Sequence, residues 1–192
     1  MAAQQQQGGQ AATPARQGVP LQQGALFGAA AFVVGYVMTF VWTMIDTESN
    51  EIENTFEVAG WLFFNAQFVR IEPEGSATFD MLSTLAAADV LSLPALVFTV
   101  AVALILFGAG YLVTDRYMTP GLSADEGTVY GASIAIGYLP LAFLGALLFE
   151  ASEPPFTDTT PDIFAAVLLA GIVFPALIGA LGGYYAVRSR GS

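Results

Sequence analysis

"VLSLPALVFTVAVALILFGAGYLV", Val90 to Val113, holds no Asp, Glu or Arg. A helix needs roughly 20 predominantly apolar residues to cross ~30 Å of hydrocarbon. This run is long enough, and an uncharged run of that length reads as a membrane span and not as a buried helix of a soluble protein. Three similar runs flank it. "GALFGAAAFVVGYVMTFVWTMI", Gly24 to Ile45, precedes it, and two follow: "TVYGASIAIGYLPLAFLGALLF", Thr128 to Phe149, and "IFAAVLLAGIVFPALIGALGGYYAV", Ile163 to Val187. The expected fold is therefore an all-α membrane protein with four transmembrane helices, at about 24–45, 90–113, 128–149 and 163–187, arranged as two hairpins. The proline pattern agrees. Pro94 falls in a first turn and Pro161 precedes a helix, while Pro140 and Pro175 are interior and should kink spans three and four.

The composition supports the same class. Of 192 residues, 55% are hydrophobic and only 11% are charged, where an ordinary soluble domain has about 25% charged. There are 16 acids, five arginines, no histidine, no cysteine and no lysine. Without Cys and His there is no thiol chemistry, no disulfide and no zinc site built on those ligands. The usual general base is missing too. A net charge of −11 excludes a phosphate-binding surface, so no nucleic acid is expected as a partner. No Ser-based motif, phosphate loop or HExxH is present, so no catalytic residue, metal ligand or cofactor is assigned and an enzyme is not expected. Dense carboxylates without lysine suit a high-salt milieu, where screening makes them tolerable.

The arginines orient the chain. Arg16, Arg116, Arg188 and Arg190 share one side with only Asp115, Asp125 and Glu126; the other thirteen acids face Arg70 alone. The positive-inside rule then puts both termini in the cytoplasm of a cell membrane. Trp42 and Trp61 are expected at the outer interface, and Tyr111, Tyr117, Tyr130, Tyr184 and Tyr185 at the inner one. "MAAQQQQGGQAATPARQGVP", residues 1–20, has no apolar period and is expected as a disordered cytoplasmic tail. The transmembrane domain is 21–188.

Between the first two spans lies "EVAGWLFFNAQFVRIEPEG", Glu57 to Gly75. Its uncharged part, Val58 to Val69, is 12 residues, too short to span as a helix. It suits an amphipathic interfacial helix, a short re-entrant segment or a small extracellular cap. The expectation is an outer cap over about 54–79. As a helix it sets Trp61, Phe64 and Phe68 on one face, with Asn65 pointing elsewhere. These four make a candidate outer surface for a partner. The acids from Asp46 to Glu57 lack the alternating ligands and fixed glycine of a calcium loop and read as a solvated surface.

Small residues recur at helical spacing. Gly127, Gly131 and Ala135 lie four apart, as do Gly171, Pro175, Gly179 and Gly183. Such ridges let helix backbones touch in lipid, so Gly131, Gly171, Gly179 and Gly183 are assigned to helix packing, within the chain or in a homo-oligomer. Spans one and three share a G…G…GY pattern ending at Tyr36 and Tyr138, which suggests two parallel repeats about an axis along the membrane normal. No ionisable residue lies deep in a span. The polar atoms nearest the midplane are the hydroxyls of Tyr36 and Tyr138, with Thr39 and Ser133 close in depth. They are the candidate solute-binding residues of a transporter-like protein that passes or binds a small solute between hairpins. The alternative is a non-catalytic scaffold or accessory subunit whose partners are the lipid bilayer and a membrane protein.

"GWLFFNAQFV", Gly60 to Val69, between two spans of an acidic lysine-poor chain, resembles an uncharacterised family of small haloarchaeal membrane proteins with a GW-x-F-aromatic-N-A-H-F-V-like outer segment. The resemblance covers about Gly24 to Val187. It implies a habitat and a multi-span fold; some members are labelled transporters. This chain has Gln67 where that pattern has His.

Overall fold

The computed structural model describes residues 18–46, 54–75, 77–87, 93–152 and 158–190. Most of the expected tail, the acidic run from 47 to 53, and residues 88–92 at the expected start of span two lie outside the described residues. Four helical stretches are long and apolar enough to cross a membrane: Leu21–Ile45, Ala95–Tyr117, Ala124–Leu148 and Ile163–Arg190. The first is helix α1 (Leu21–Asp46). The second is α4 (Ala95–Tyr117), which begins after Pro94, where the ring pre-sets the entry to a helix.

The other two spans are broken. Span three is α5 (Ala124–Ala132) followed by α6 (Ala135–Leu148). The joint at Ser133–Ile134 is tightened: Ile136 N donates to Ser133 O at 3.1 Å and Gly137 N to Ile134 O at 3.2 Å, the i→i+3 pattern of a 3₁₀ turn. The expected distortion of span three is thus found ahead of Pro140, which continues inside α6. Span four is a short α7 (Ile163–Ala165), a π-helical stretch Ala166–Val173 and α8 (Phe174–Arg190). The wide register ends directly before Pro175, whose missing N–H cannot continue the ladder. Capping sets two of the starts. Ser123 and Glu126 form a reciprocal capping box at α5, with Glu126 N donating to Ser123 Oγ at 3.2 Å and Ser123 N to Glu126 Oε2 at 3.0 Å. At α7, Ala165 N donates to Asp162 Oδ1 at 2.9 Å.

Glycines decide how the spans meet. An added Cβ on Gly131 would lie 2.1 Å from Gly179 O, and one on Gly183 would lie 2.1 Å from Gly127 O. There α5 and α8 touch backbone to backbone, and Gly110 brings α4 against Gly179 as well. Gly171 sits against the Leu139 side chain. All four glycines assigned to helix packing therefore pack within the chain. On the other side of the bundle, Gly28 and Gly137 bring α1 against α5–α6. Span one thus neighbours span three, and span two neighbours span four. A twofold axis along the bundle would set each of these pairs on a diagonal instead, so the neighbour pattern does not match the expected repeat axis.

The segment between spans one and two, expected as an outer cap, is packed in among the helices. Helix α2 (Thr55–Asn65) is buried from Val58 to Asn65. Beyond the Gly28–Gly137 crossing, aromatic side chains stand between α1 and α6. Tyr36 and Phe149 bridge them ring to ring, stacked at 4.9 Å. Helix α2 fills the gap. Phe63 lies 5.1 Å from Phe32 of α1, ring centroid to centroid, and Gly60 takes the Phe149 ring against its backbone. Trp61 Nε1 donates to Phe149 O at 2.7 Å. After its turn the chain returns toward Phe149 as strand β1 (Ile71–Pro73), antiparallel to β2 (Thr159–Pro161) with Glu72 opposite Thr160. The segment turns in between the helices and comes back. An aromatic run with no charges is cheaper to bury between helices than to leave over their ends, and its buried amides are bonded.

Candidate functional site

The turn that ends α2 carries the polar centre of the fold. Val69 N donates to Phe64 O at 3.1 Å and Phe68 N to Asn65 O at 2.9 Å, a Schellman-type ending with Phe68 in the left-handed position at φ 66°. Glycine is the usual residue there, because a Cβ is crowded at positive φ. Asn65 ties the turn down. Its Nδ2 donates to Val69 O, and its Oδ1 accepts from Met81 N at 2.6 Å and Leu82 N at 3.2 Å, the first residues of α3 (Met81–Ala87).

Gln67 is fully buried at the tip of the turn. Its Nε2 donates to Phe63 O at 3.1 Å, and its Oε1 accepts from Tyr138 Oη at 2.8 Å. Tyr138 lies about three helical turns before Phe149 on α6, midway along the third span, and is fully buried. The turn therefore reaches from the end of the bundle to the middle of a span. An amide and a phenol satisfy each other where an unpaired polar group would be costly.

The residues proposed for a solute site do not converge. Tyr36 Oη donates to Phe56 O at 3.3 Å, and the rings of Phe63 and Phe32 stand between it and Tyr138. Thr39 Oγ1 donates to Gly35 O at 3.0 Å and Ser133 Oγ to Tyr130 O at 2.5 Å, each within its own helix. Three clefts, of about 390, 540 and 190 Å³, lie toward the ends of the bundle, and none of the three is lined by Tyr36 or Tyr138. Of the proposed outer surface, Trp61 and Phe64 are fully buried and Asn65 nearly so. Trp61 and Phe64 point into the bundle, because α2 is enclosed on several sides, while Phe68 lies past the end of the helix. Phe68 alone is exposed, at 64%, with its ring 5.9 Å from that of Phe174. Sequence reasoning missed Gln67 as a structural group. The signal was an amide inside an otherwise apolar run, which has to find a partner once buried.

At the opposite end, Arg190 pairs with Asp115 at 2.6 Å, near Arg116 and Arg188. Arg70 stands at the other end, where its carbonyl accepts from Asp162 N.

The chain matches the Family of unknown function (DUF7978) over residues 1–190. It belongs to that family. No curated protein and no solved structure matches it. For this DUF7978 chain, the geometry thus stands as the basis for a functional reading: an inward turn held by Gln67 and Tyr138, with one aromatic residue projecting from it.

Proposed function

We propose that the chain is a non-catalytic scaffold or accessory subunit of a membrane complex, seated in a cell membrane with both termini in the cytoplasm. The acid-rich, lysine-free composition supports a high-salt, haloarchaeal host. The observation that carries the functional reading is Phe68. A bulky aromatic is kept at φ 66° and is 64% exposed beside Phe174. A left-handed non-glycine residue costs of order 1–3 kcal/mol, and such strain clusters at functional positions. In this reading the Phe68 and Phe174 rings receive an apolar helix of a partner membrane protein.

Phe68→Gly tests it. The variant relieves the backbone strain and removes the ring. Thermal unfolding in mild detergent should shift upward, by about 1 kcal/mol in stability. A protein that copurifies stoichiometrically with the wild type from native membranes should be lost. A wild-type protein that purifies as a lone monomer, or a partner retained by Phe68→Gly, contradicts the reading.

A second reading, a transporter-like protein, draws on the re-entrant turn and the two broken spans, features that membrane proteins use where backbone lines a solute path. Its solute would pass only after α2 withdraws from between α1 and α6, breaking the Gln67–Tyr138 bond. Solute flux in vesicles that rises in Gln67→Leu would favour it over the scaffold reading.

A further inference from the structure

The inward turn is tied to span four along the whole of its π-helical stretch, Ala166–Val173. Ahead of that stretch, Ile71 pairs with Pro161, and Asp162 N donates to Arg70 O at 2.9 Å. Near its middle, Gly171 packs against Leu139, whose neighbour Tyr138 donates to Gln67 Oε1 at 2.8 Å. At its end, Phe174 N closes the last wide turn onto Leu169 O, and the Phe174 ring lies 5.9 Å from that of Phe68. Gln67, Phe68 and Arg70 of one turn thus reach the middle, the end and the start of the stretch, the first of them through α6. Both partners hold backbone in a disfavoured form. Phe68 is left-handed at φ 66°. The wide register runs over eight residues, where π turns usually occur singly and often at functional sites.

We propose that the inward turn and the wide stretch are one conformational switch. In one state the turn is inserted and Ala166–Val173 is π-helical; in the other the turn is withdrawn and the same residues wind as α-helix. The mechanics follow from what is fixed. Helix α8 is clamped on α5, backbone to backbone, at Gly179 and Gly183, so a change of register leaves it in place. The α register has fewer residues per turn, so the same residues become longer and wind further. The displacement falls on α7 and Asp162, away from the middle of the bundle, and Asp162 is bonded to Arg70. The turn is drawn out in that direction. Phe68 then leaves the left-handed region, and the Gln67–Tyr138 bond breaks. Pro175 favours the wide state, because without an N–H it cannot close the α-helical bond onto Gly171 O. The switch rests on neither reading given above, since neither a partner at Phe68 nor a solute path is part of it.

Single cysteines in this cysteine-free chain read both partners. Ala59→Cys on α2 and Ala166→Cys in the wide stretch are at fully buried sites, and Ala186→Cys on α8 is a fully buried reference in the glycine-packed part. Each full-length variant in detergent is labelled with a water-soluble maleimide. Pro175→Ala is added to release the register, and separately Gln67→Leu to release the turn. Each release should raise the labelling rate about tenfold or more at both 59 and 166, as the withdrawn state gains population, while 186 stays near its rate without the release. A rise at only one of the two positions means that turn and register move independently, and overturns the switch. So does no rise at either, and so does an equal rise at 186, which is ordinary unfolding. The two releases act from opposite ends, so if one variant does not fold the other decides.

Discussion

Gln67 and Tyr138 show how one pair of side chains sets the depth of a segment. Each alone would be an unsatisfied polar group in an apolar interior; bonded at 2.8 Å, they fix the tip of the α2 turn against α6. Tyr138→Phe removes the donor and leaves Gln67 Oε1 without it. A buried acceptor left unpaired costs about 1–3 kcal/mol, and the unfolding temperature should fall accordingly. Gln67→Leu should cost a similar amount, since it strands the phenol. The double variant should cost less than the sum of the two, by about 1 kcal/mol, because neither orphan remains. Strict additivity in a double-mutant cycle would mean that the two side chains do not interact.

The helices meet through missing side chains, and that makes glycine substitutions sharply position-dependent. Gly131→Ala would put a Cβ 2.1 Å from the Gly179 carbonyl oxygen, so α5 and α8 must separate; a loss of about 3 kcal/mol or more is expected, at the upper end of overpacking costs. Gly108 on α4 has nothing within 4 Å of its added Cβ. Gly108→Ala should be neutral or stabilise by about 0.5–1 kcal/mol, through helix propensity alone. Comparable losses at both positions, measured by thermal unfolding, would contradict the packing described. At this scale the sequence was readable where spacing carries the information. On span four, Gly171 faces the Leu139 side chain, and Gly179 and Gly183 face the backbone of α5. The same reading failed at α2. A face at i, i+3, i+7 tells which side chains are aligned, not whether the remaining faces are also covered, and Leu62, Phe63 and Val58 cover them here. The breaks in spans three and four were expected at prolines, but their placement depends on which carbonyls find i+3 or i+5 partners, which is not a property of the proline alone.

For the molecule as a whole, four helices long and apolar enough to span a membrane follow from hydrophobicity and length, and were legible at once. What was not legible is that their ends open into a gap between α1 and α6, and that the chain fills this gap with its own loop. The arginine distribution assigned that loop to the outside, and its short uncharged run made it a cap; the acids that flank the run, Glu57 on one side and Glu72 and Glu74 on the other, bracket the part that turns inward. The central claim is this inward turn. The chain has no cysteine, so single-cysteine variants report on it directly. Ala59→Cys and Ala66→Cys are small changes at fully buried sites on α2 and its turn, and Glu74→Cys is exposed in the turn just after the returning strand. The measurement is the rate of labelling by a water-soluble maleimide in the folded protein, against the same variants unfolded. The account predicts rapid labelling at position 74 and protection of at least a hundredfold at 59 and 66, lost together on unfolding. Labelling at 59 and 66 as fast as at 74 would mean that the segment lies over the bundle as a cap, and the account would be wrong.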